Sequence, residues 1–473
     1  MTAPLVVVGD ALLDIDVIGR VERVAPDAPV PVLDVREEVA RPGGAALAAL
    51  LAAGDGREVV LVAPLGEDEA AERLRALLQG VLEVVALPWT GTTAVKTRVR
   101  AGGHPLVRLD TGGSPGEVCA LPNAAWAALE RASAVLVADY GQGATAYAPL
   151  RDALAGAAAR VPVVWDPHPR GTAPVPGARL ATPNAAEAAG ASGIGGKGVA
   201  AAHAQADALV ERWQAHAVAV TLGAQGALLS YGEGAPLVVP APHVPCFDPC
   251  GAGDRFASAA AGLLADGLLP SEAVEGAVHA ASAFVAAGGA ASVRIGAPAT
   301  GPSRAVLLGS EVVPPGFAPR GVDVLLSRVR AAGGTVVATG GCFDLVHAGH
   351  VATLQAARAL GDCLVVCLNS DASVRRLKGP ERPLQSQDDR ARVLEALGCV
   401  DAVVVFDEET PEAAIARIRP DVWAKGGDYA GAELPEAALL AEWGGQSVVL
   451  PYLDGRSTTR LVSTAAARAA GSR

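Results

Sequence analysis

Basic residues are in deficit in this 473-residue chain, where 38 Lys and Arg face 50 Asp and Glu and leave a formal net charge of −12. That balance excludes a general binder of nucleic acid or of anionic membranes, so an anionic substrate must be met by local basic groups. The seven cysteines include no Cys-x-x-Cys pair. With no secretion signal, they point to reduced thiols and not to a disulfide framework. A basic flank is missing ahead of the apolar run near Met1, and Asp10, Asp14 and Asp16 interrupt that run, so no signal peptide is expected. Strongly apolar spans are missing too, since the Ala-rich stretch Ala273 to Ala287 is weakly hydrophobic and contains His279. Aromatic residues make up only 4%; with the abundance of Ala and Gly, this reads as compositional bias without a functional message. These absences leave a cytoplasmic enzyme acting on small molecules, with no nucleic-acid or membrane partner and with homo-oligomerisation open.

What is present is alternation. The length predicts two or three domains. Strands over Leu5–Gly9, Val59–Val62, Ala134–Ala138, Val161–Trp165 and Ala217–Thr221 alternate with helical segments near 45–53, 67–80, 121–132, 147–160 and 201–215. That order predicts a parallel sheet covered on both faces. An acidic turn is expected after Gly9. Val95–Arg100, Leu106–Asp110 and the run at 30–39 are expected to form a small antiparallel lid. Between Ser292 and Gly321 the chain is rich in Pro, Gly and Ser, which sets the domains at 1–300 and 321–473 with a linker at 301–320.

Two stretches carry chemistry. Asp248-Pro249-Cys250-Gly251-Ala252-Gly253-Asp254 opens an Ala-rich helix expected from Arg255 to about Ala265. Gly251 and Gly253 let the backbone approach a ligand, and amides at the helix start hold the charge of a transferring phosphoryl group. Asp254 is placed to take a hydroxyl proton; an acidic helix start after a Gly turn is the plainer reading. In the last third, Gly340 to His350 lies between a strand at Thr335–Thr339 and a helix from Val351, so its glycines fall at a strand-to-helix turn where His347 and His350 face one ligand. A zinc half-site would need a further Cys or carboxylate at ligand spacing, and none stands nearby. Arg375, Arg376, Lys378 and Arg382 then form a basic cluster, either a solvated loop or a phosphate clamp.

Gly341-x-Phe343-Asp344-x-x-His347-x-Gly349-His350 resembles the His-x-Gly-His signature of cytidylyltransferase-like nucleotidyltransferases. Gly9-Asp10 with Asp14, Arg41 to Ala46, Thr182-Pro183-Asn184-x-x-Glu187 and Gly251 to Asp254 are similar to the ribokinase-like (PfkB) sugar kinases over nearly all of residues 1–300. The resemblance implies a ribokinase-like α/β domain with a small β lid, followed by a Rossmann-like nucleotidyltransferase α/β domain. It further implies Asp254 as catalytic base, Gly251, Ala252 and Gly253 as anion hole, and Asp14, Gly43 and Gly44 as sugar contacts. Asn184 and Glu187 would organise Mg2+ and phosphates, with Thr221, Gly223 and Gly226 along the nucleotide. In the second half Gly341, Phe343, His347, His350, Lys378 and the Ser457-Thr458-Thr459 turn would hold nucleotide phosphates. Two positions depart from the kinase pattern: Leu47 stands where many relatives carry Asn, which removes a sugar contact, and Cys250 stands where many carry Thr. The domain order, with Arg376 to Gly379 and Lys425 to Tyr429, resembles the bifunctional heptose 7-phosphate kinase / heptose 1-phosphate adenylyltransferases, which implies heptose phosphates and ATP as substrates. A fusion using another sugar or polyol phosphate with CTP, and a fusion with one inactive sensing half, are the alternatives.

Overall fold

The computed structural model describes residues 3–26, 28–102, 104–113, 116–246, 248–293, 322–427 and 434–451. The expected linker at 301–320, the end of the Lys425 to Tyr429 motif, and Ser457, Thr458 and Thr459 lie outside the described residues. The chain divides into two compact units, one of residues 1–194, 205–221 and 242–303, the other of 195–204, 222–241 and 304–473.

Eleven strands among the described residues build the first unit: β1 (Leu5–Gly9), β2 (Ala11–Val24), β3 (Pro31–Gly44), β4 (Val59–Pro64), β5 (Glu83–Leu87), β6 (Ala94–Ala101), β7 (His104–Thr111), β8 (Ala134–Ala138), β9 (Val163–Asp166), β10 (Leu180–Ala181) and β11 (Val218–Thr221). Seven of them form a parallel layer in the order β5-β4-β1-β8-β9-β10-β11. β1, β4 and β8 are buried along their whole length. Their near-continuous Val, Leu and Ala runs follow from this, because helices cover both faces of a parallel sheet. Val6, Val8, Val60, Val62, Val135 and Val137 pack with Leu150, Leu154 and Trp165 into one core.

The lid is a separate four-stranded sheet, β3-β2-β6-β7. Two of its pairings are antiparallel, but β2 and β6 run parallel, so the sheet is mixed. The acidic turn expected after Gly9 is instead the start of the 14-residue strand β2. Its carboxylates sit in a sheet because arginines on neighbouring strands neutralise them: Arg41 of β3 pairs with Asp16, and Arg98 of β6 pairs with Asp14 at 2.5 Å.

The second unit adds β12 (Ala227–Ser230), β13 (Leu237–Val239), β14 (Val336–Gly341), β15 (Cys363–Asn369), β16 (Ala402–Phe406), β17 (Val422–Gly426) and β18 (Gln446–Leu450). Their order is β16-β15-β14-β17-β18-β13-β12. Residues 222–241 group with this unit because β13 pairs with β18 at Leu237 and Val449. Among the described residues, no helix is long and apolar enough to cross a membrane.

Candidate active sites

Asp254 stands in the first turn of the helix Ala252–Ala265, which begins three residues earlier than the sequence suggested. Gly251 caps it with φ of 81°, a left-handed conformation that favours glycine, and so releases the first amides of the helix toward a ligand. Asp254 is only 6% exposed. The Tyr140 hydroxyl donates to its Oδ1 at 2.6 Å. Burial pushes the Asp254 carboxyl up to about 7, against the lowering pull of the Tyr140 hydrogen bond and the Lys96 charge. A carboxyl with that proton affinity is matched to general-base work near neutral pH.

Tyr140 is placed by a residue far upstream. Asp10, 1% exposed, accepts from the backbone N–H groups of Tyr140 (3.0 Å), Gln142 (2.9 Å) and Ala144 (3.2 Å), which fixes the loop after β8.

A cavity of about 210 Å3 brings Asp254 together with Gly251, Ala252, Gly253, Asn184, Glu187 and Thr221. Its lining also takes in Asp139, Tyr140, Asp166 and His168, which sequence reasoning missed, and it does not take in Gly223 or Gly226. Those two glycines flank a short turn after Thr221, where the Leu222 N–H donates to the Gly226 carbonyl at 2.8 Å. Asn184 and Glu187 form a reciprocal cap: the Asn184 side chain accepts from the Ala186 and Glu187 amides, and Glu187 Oε2 accepts from the Asn184 amide at 2.9 Å. Burial holds the Asp166 carboxyl well above its ordinary range, and the charges of Asp254 and Glu187 add to that. A buried carboxyl with two further carboxylates acting on it fits a nearby divalent cation. No three His, Cys, Asp or Glu side chains among the described residues are grouped to hold a metal by themselves, so such an ion would share its ligands with nucleotide phosphates and water.

Asp14, Gly43 and Gly44 meet across the β2–β3 ladder, where Leu12 pairs with Gly43 and Ala11 with Gly44. A Cβ on Gly43 would lie 2.4 Å from Asp14 Oδ2, so only glycine leaves that carboxylate its place. Arg98, besides pairing with Asp14, donates to Cys250 Sγ at 3.3 Å. Leu47 is 2% exposed, and a Cβ built on Gly251 would lie 3.0 Å from its Cδ2. The side chain that departs from the family pattern therefore packs beneath the anion loop.

In the second unit His347 caps the helix Ala348–Arg358, which starts three residues before the expected Val351. His347 Nδ1 accepts from the His350 N–H and His350 Nδ1 from the His347 N–H, each at 3.4 Å. The rings stack with centroids 3.8 Å apart. With both Nδ1 atoms accepting, a neutral ring carries its proton on Nε2, where it donates to a ligand. Burial, then the neighbouring His347, lowers His350 to about 4, so at neutral pH it works as a neutral donor. Phe343 adopts φ of 43° after Gly341 and packs its ring 5.2 Å from that of His350.

The basic cluster divides. Arg375, Arg376 and Lys378 belong to the helix Asp371–Lys378, which replaces the solvated loop weighed for them. Arg376 is paired with Asp407, and Arg382 with the buried Asp344 at 2.5 Å. Lys378 is exposed and close enough to depress His350, which leaves it for an anion. Arg390, which sequence reasoning passed over, is fully buried and donates to the carbonyls of Cys342 (2.6 Å) and Asn369 (2.9 Å) and to Asp371 (2.7 Å). It ties the turn after β14 to the end of β15. Its signal, an arginine that follows two aspartates on a polar helix, is indistinguishable from a solvated one.

An acid poised beside a helix start in one unit, and stacked imidazole donors at another helix start in the second, define a carbohydrate kinase joined to a nucleotidyltransferase. The pfkB family carbohydrate kinase profile matches residues 2–295, and the cytidylyltransferase-like profile matches 338–460. The bifunctional protein HldE of Streptomyces coelicolor is 61% identical over 466 residues, covering 98% of this chain and 96% of its own length. That of Azorhizobium caulinodans is 41% identical over 476 residues, 98% of each chain. Among solved structures, a ribokinase of Arabidopsis thaliana complexed with ribose and ATP is 21% identical, covers 60% of this chain and 93% of its own, and has a TM-score of 0.47. The chain belongs to the HldE family of bifunctional proteins, with an α/β kinase portion and an α/β nucleotidyltransferase portion.

Proposed function

We propose that this chain catalyses two steps of ADP-heptose biosynthesis in the cytoplasm. Residues 1–300 phosphorylate D-glycero-β-D-manno-heptose 7-phosphate at O1 with ATP, giving the 1,7-bisphosphate. Residues 321–473, after a linker at 301–320, transfer AMP from ATP to D-glycero-β-D-manno-heptose 1-phosphate, giving ADP-heptose and pyrophosphate. A phosphatase must act between the two steps. What carries the reading is that one chain holds both phosphate-handling constellations intact, Asp254 behind Gly251 and the His347–His350 stack behind Gly341.

In the first reaction the ionised Asp254 takes the O1 proton as that oxygen attacks the γ-phosphorus of ATP. The amides at Gly251 to Gly253 meet the charge on the transferred group. Mg2+, held through phosphates and water near Asn184, Glu187 and Asp166, would supply charge neutralisation. Asp14, Gly43 and Gly44 position the sugar, and Thr221 lies along the nucleotide. In the second reaction the nucleophile is a sugar phosphate, already ionised, so no base is needed. Its oxygen attacks the α-phosphorus and the α–β bond breaks. His347 and His350 donate to the phosphates, and Lys378 adds positive charge. Ser457, Thr458 and Thr459 complete the phosphate contacts in this reading.

Incubation with heptose 7-phosphate and ATP should yield the 1,7-bisphosphate by mass, and heptose 1-phosphate with ATP should yield ADP-heptose with one pyrophosphate. Absence of the first product in folded protein would sink the kinase assignment. Turnover with CTP in place of ATP would sink the adenylyl assignment.

A further inference from the structure

Two arginines of β6 reach out of the lid sheet to the three residues that precede Gly251. Arg98 and Arg100 stand two apart on the strand and so share a face. Arg100 Nη1 pairs with Asp248 Oδ2 at 3.1 Å, and Arg98 Nη2 donates to Cys250 Sγ at 3.3 Å. Asp248 divides its carboxylate, since its other oxygen, Oδ1, accepts from the Cys250 backbone N–H at 3.0 Å. The same segment is held by the turn after the helix Pro270–Ala286: the Ala290 N–H donates to the Cys250 carbonyl at 3.0 Å, and a Cβ built on Gly289 would lie 2.4 Å from the Asp248 carbonyl oxygen. Gly251 then turns left-handed, and the Ala252 N–H donates back to the Pro249 carbonyl at 3.0 Å. The direction of the first helical amides therefore follows from where Asp248 to Cys250 sit. A thiol is a weak acceptor, whereas the Arg100–Asp248 contact is charge-assisted and largely shielded, with side chains 18% and 20% exposed, so the Arg100 pair carries more of the hold.

We propose that Arg100 is a positioning residue of the phosphoryl transfer: acting through Asp248, it fixes the loop so that the amides at Gly251 to Gly253 meet the charge of the transferred group. The inference rests on the kinase reading above and adds to it a lid residue that stands outside the lining of the Asp254 cavity. Amides aimed at charge that develops only in the transition state lower the barrier more than they tighten ground-state binding. A displaced loop therefore shows in kcat before it shows in KM. Arg98 joins the same segment to Asp14, so a second side chain ties the loop to the proposed sugar contact.

The test is a double-mutant cycle on the full chain, Arg100→Met and Asp248→Asn separately and together, read in steady-state kinase kinetics with heptose 7-phosphate and ATP. Each single replacement should lower kcat by roughly 10–100-fold, the size expected of a misplaced catalytic loop, with KM for sugar and for ATP near wild type. The double variant should lose no more than either single one, because both remove the same pair. Arg100→Lys, which can still pair with Asp248, should recover part of kcat. A rise in sugar KM with kcat retained would place Arg100 in the substrate site and overturn the proposal, as would losses that multiply in the double variant. A lowered Tm with kcat at the wild-type value would reduce the pair to a structural contact and overturn it too. Asp248→Asn keeps the side chain's shape and an acceptor for the Cys250 amide, so it decides the matter if Arg100→Met fails to fold. Absence of wild-type turnover on heptose 7-phosphate would overturn the substrate reading alone; the same cycle read on ATP hydrolysis, in which the phosphoryl group passes the same amides, then tests the Arg100 assignment.

Discussion

Burial and one neighbour pull the proton affinity of Asp254 in opposite directions: burial drives it up to about 7, and the 2.6 Å hydrogen bond from Tyr140 opposes that rise. As a base it works only when ionised, so kinase kcat/KM should rise with pH through about 7. Tyr140→Phe removes the stabilising donor and should move that limb by roughly one pH unit toward alkaline values, measured on kcat/KM for the sugar. An unmoved limb would detach Tyr140 from the base. Asp254→Asn should lower kinase turnover by about 10²–10⁴-fold with sugar binding retained. The same shift bears on stability. Because the folded proton affinity is raised from the ordinary 3.8, the protonated carboxyl favours the fold fully below pH 3.8, and that contribution is lost as pH rises to about 7. Asp254→Asn should therefore show an unchanged or higher Tm at pH 7.5, which separates lost chemistry from lost structure. Asp254 was legible in the sequence because Gly-Ala-Gly-Asp states its own local geometry. Tyr140 was not, since it lies 114 residues away and reaches Asp254 through a loop that Asp10 holds.

At the scale of elements, the parallel layer was legible because strands buried on both faces read as continuous apolar runs. β1 and β8 agree with the sequence at both ends. β2 was illegible for the opposite reason: Asp14 and Asp16 break its apolar pattern, and the Arg98 and Arg41 that neutralise them come from strands distant in sequence. The helix starts at Ala252 and Ala348 came earlier than periodicity placed them, because cap residues carry no periodic signal. Leu47 shows what packing adds. It lies in the helix Ala45–Gly54 and meets Gly251 together with Phe284 and Ala290. Leu47→Asn would set an amide in that apolar contact at a cost of roughly 1–3 kcal/mol and disturb the anion loop. The expected result is a lower Tm and a lower kinase kcat. A change confined to KM for the sugar, with Tm intact, would return position 47 to the sugar site.

At the scale of the whole molecule, a chain with net charge −12 handles anions at two places that each bring their own donors. The described residues of the kinase cavity run from Asp139 to Asp254, and those of the histidine site from Gly341 to Arg390, so each set lies on one side of residues 301–320. Independent chemistry follows from that partition. Replacing His347 and His350 by Ala removes two donors aimed at phosphates, and loss of one such donor costs roughly 10²–10³-fold. Adenylyl transfer should fall by at least that much while heptose 7-phosphate phosphorylation stays near wild type, and Asp254→Asn should do the converse. Mixing the two variants with a suitable phosphatase, heptose 7-phosphate and ATP should then restore ADP-heptose formation, followed by mass, because an intermediate made by one chain diffuses to the other. A mixture that stays silent while each variant keeps its own partial activity would mean that intermediates must pass within one chain. Loss of kinase turnover in the folded His347→Ala/His350→Ala protein would mean instead that the two sites share a working part.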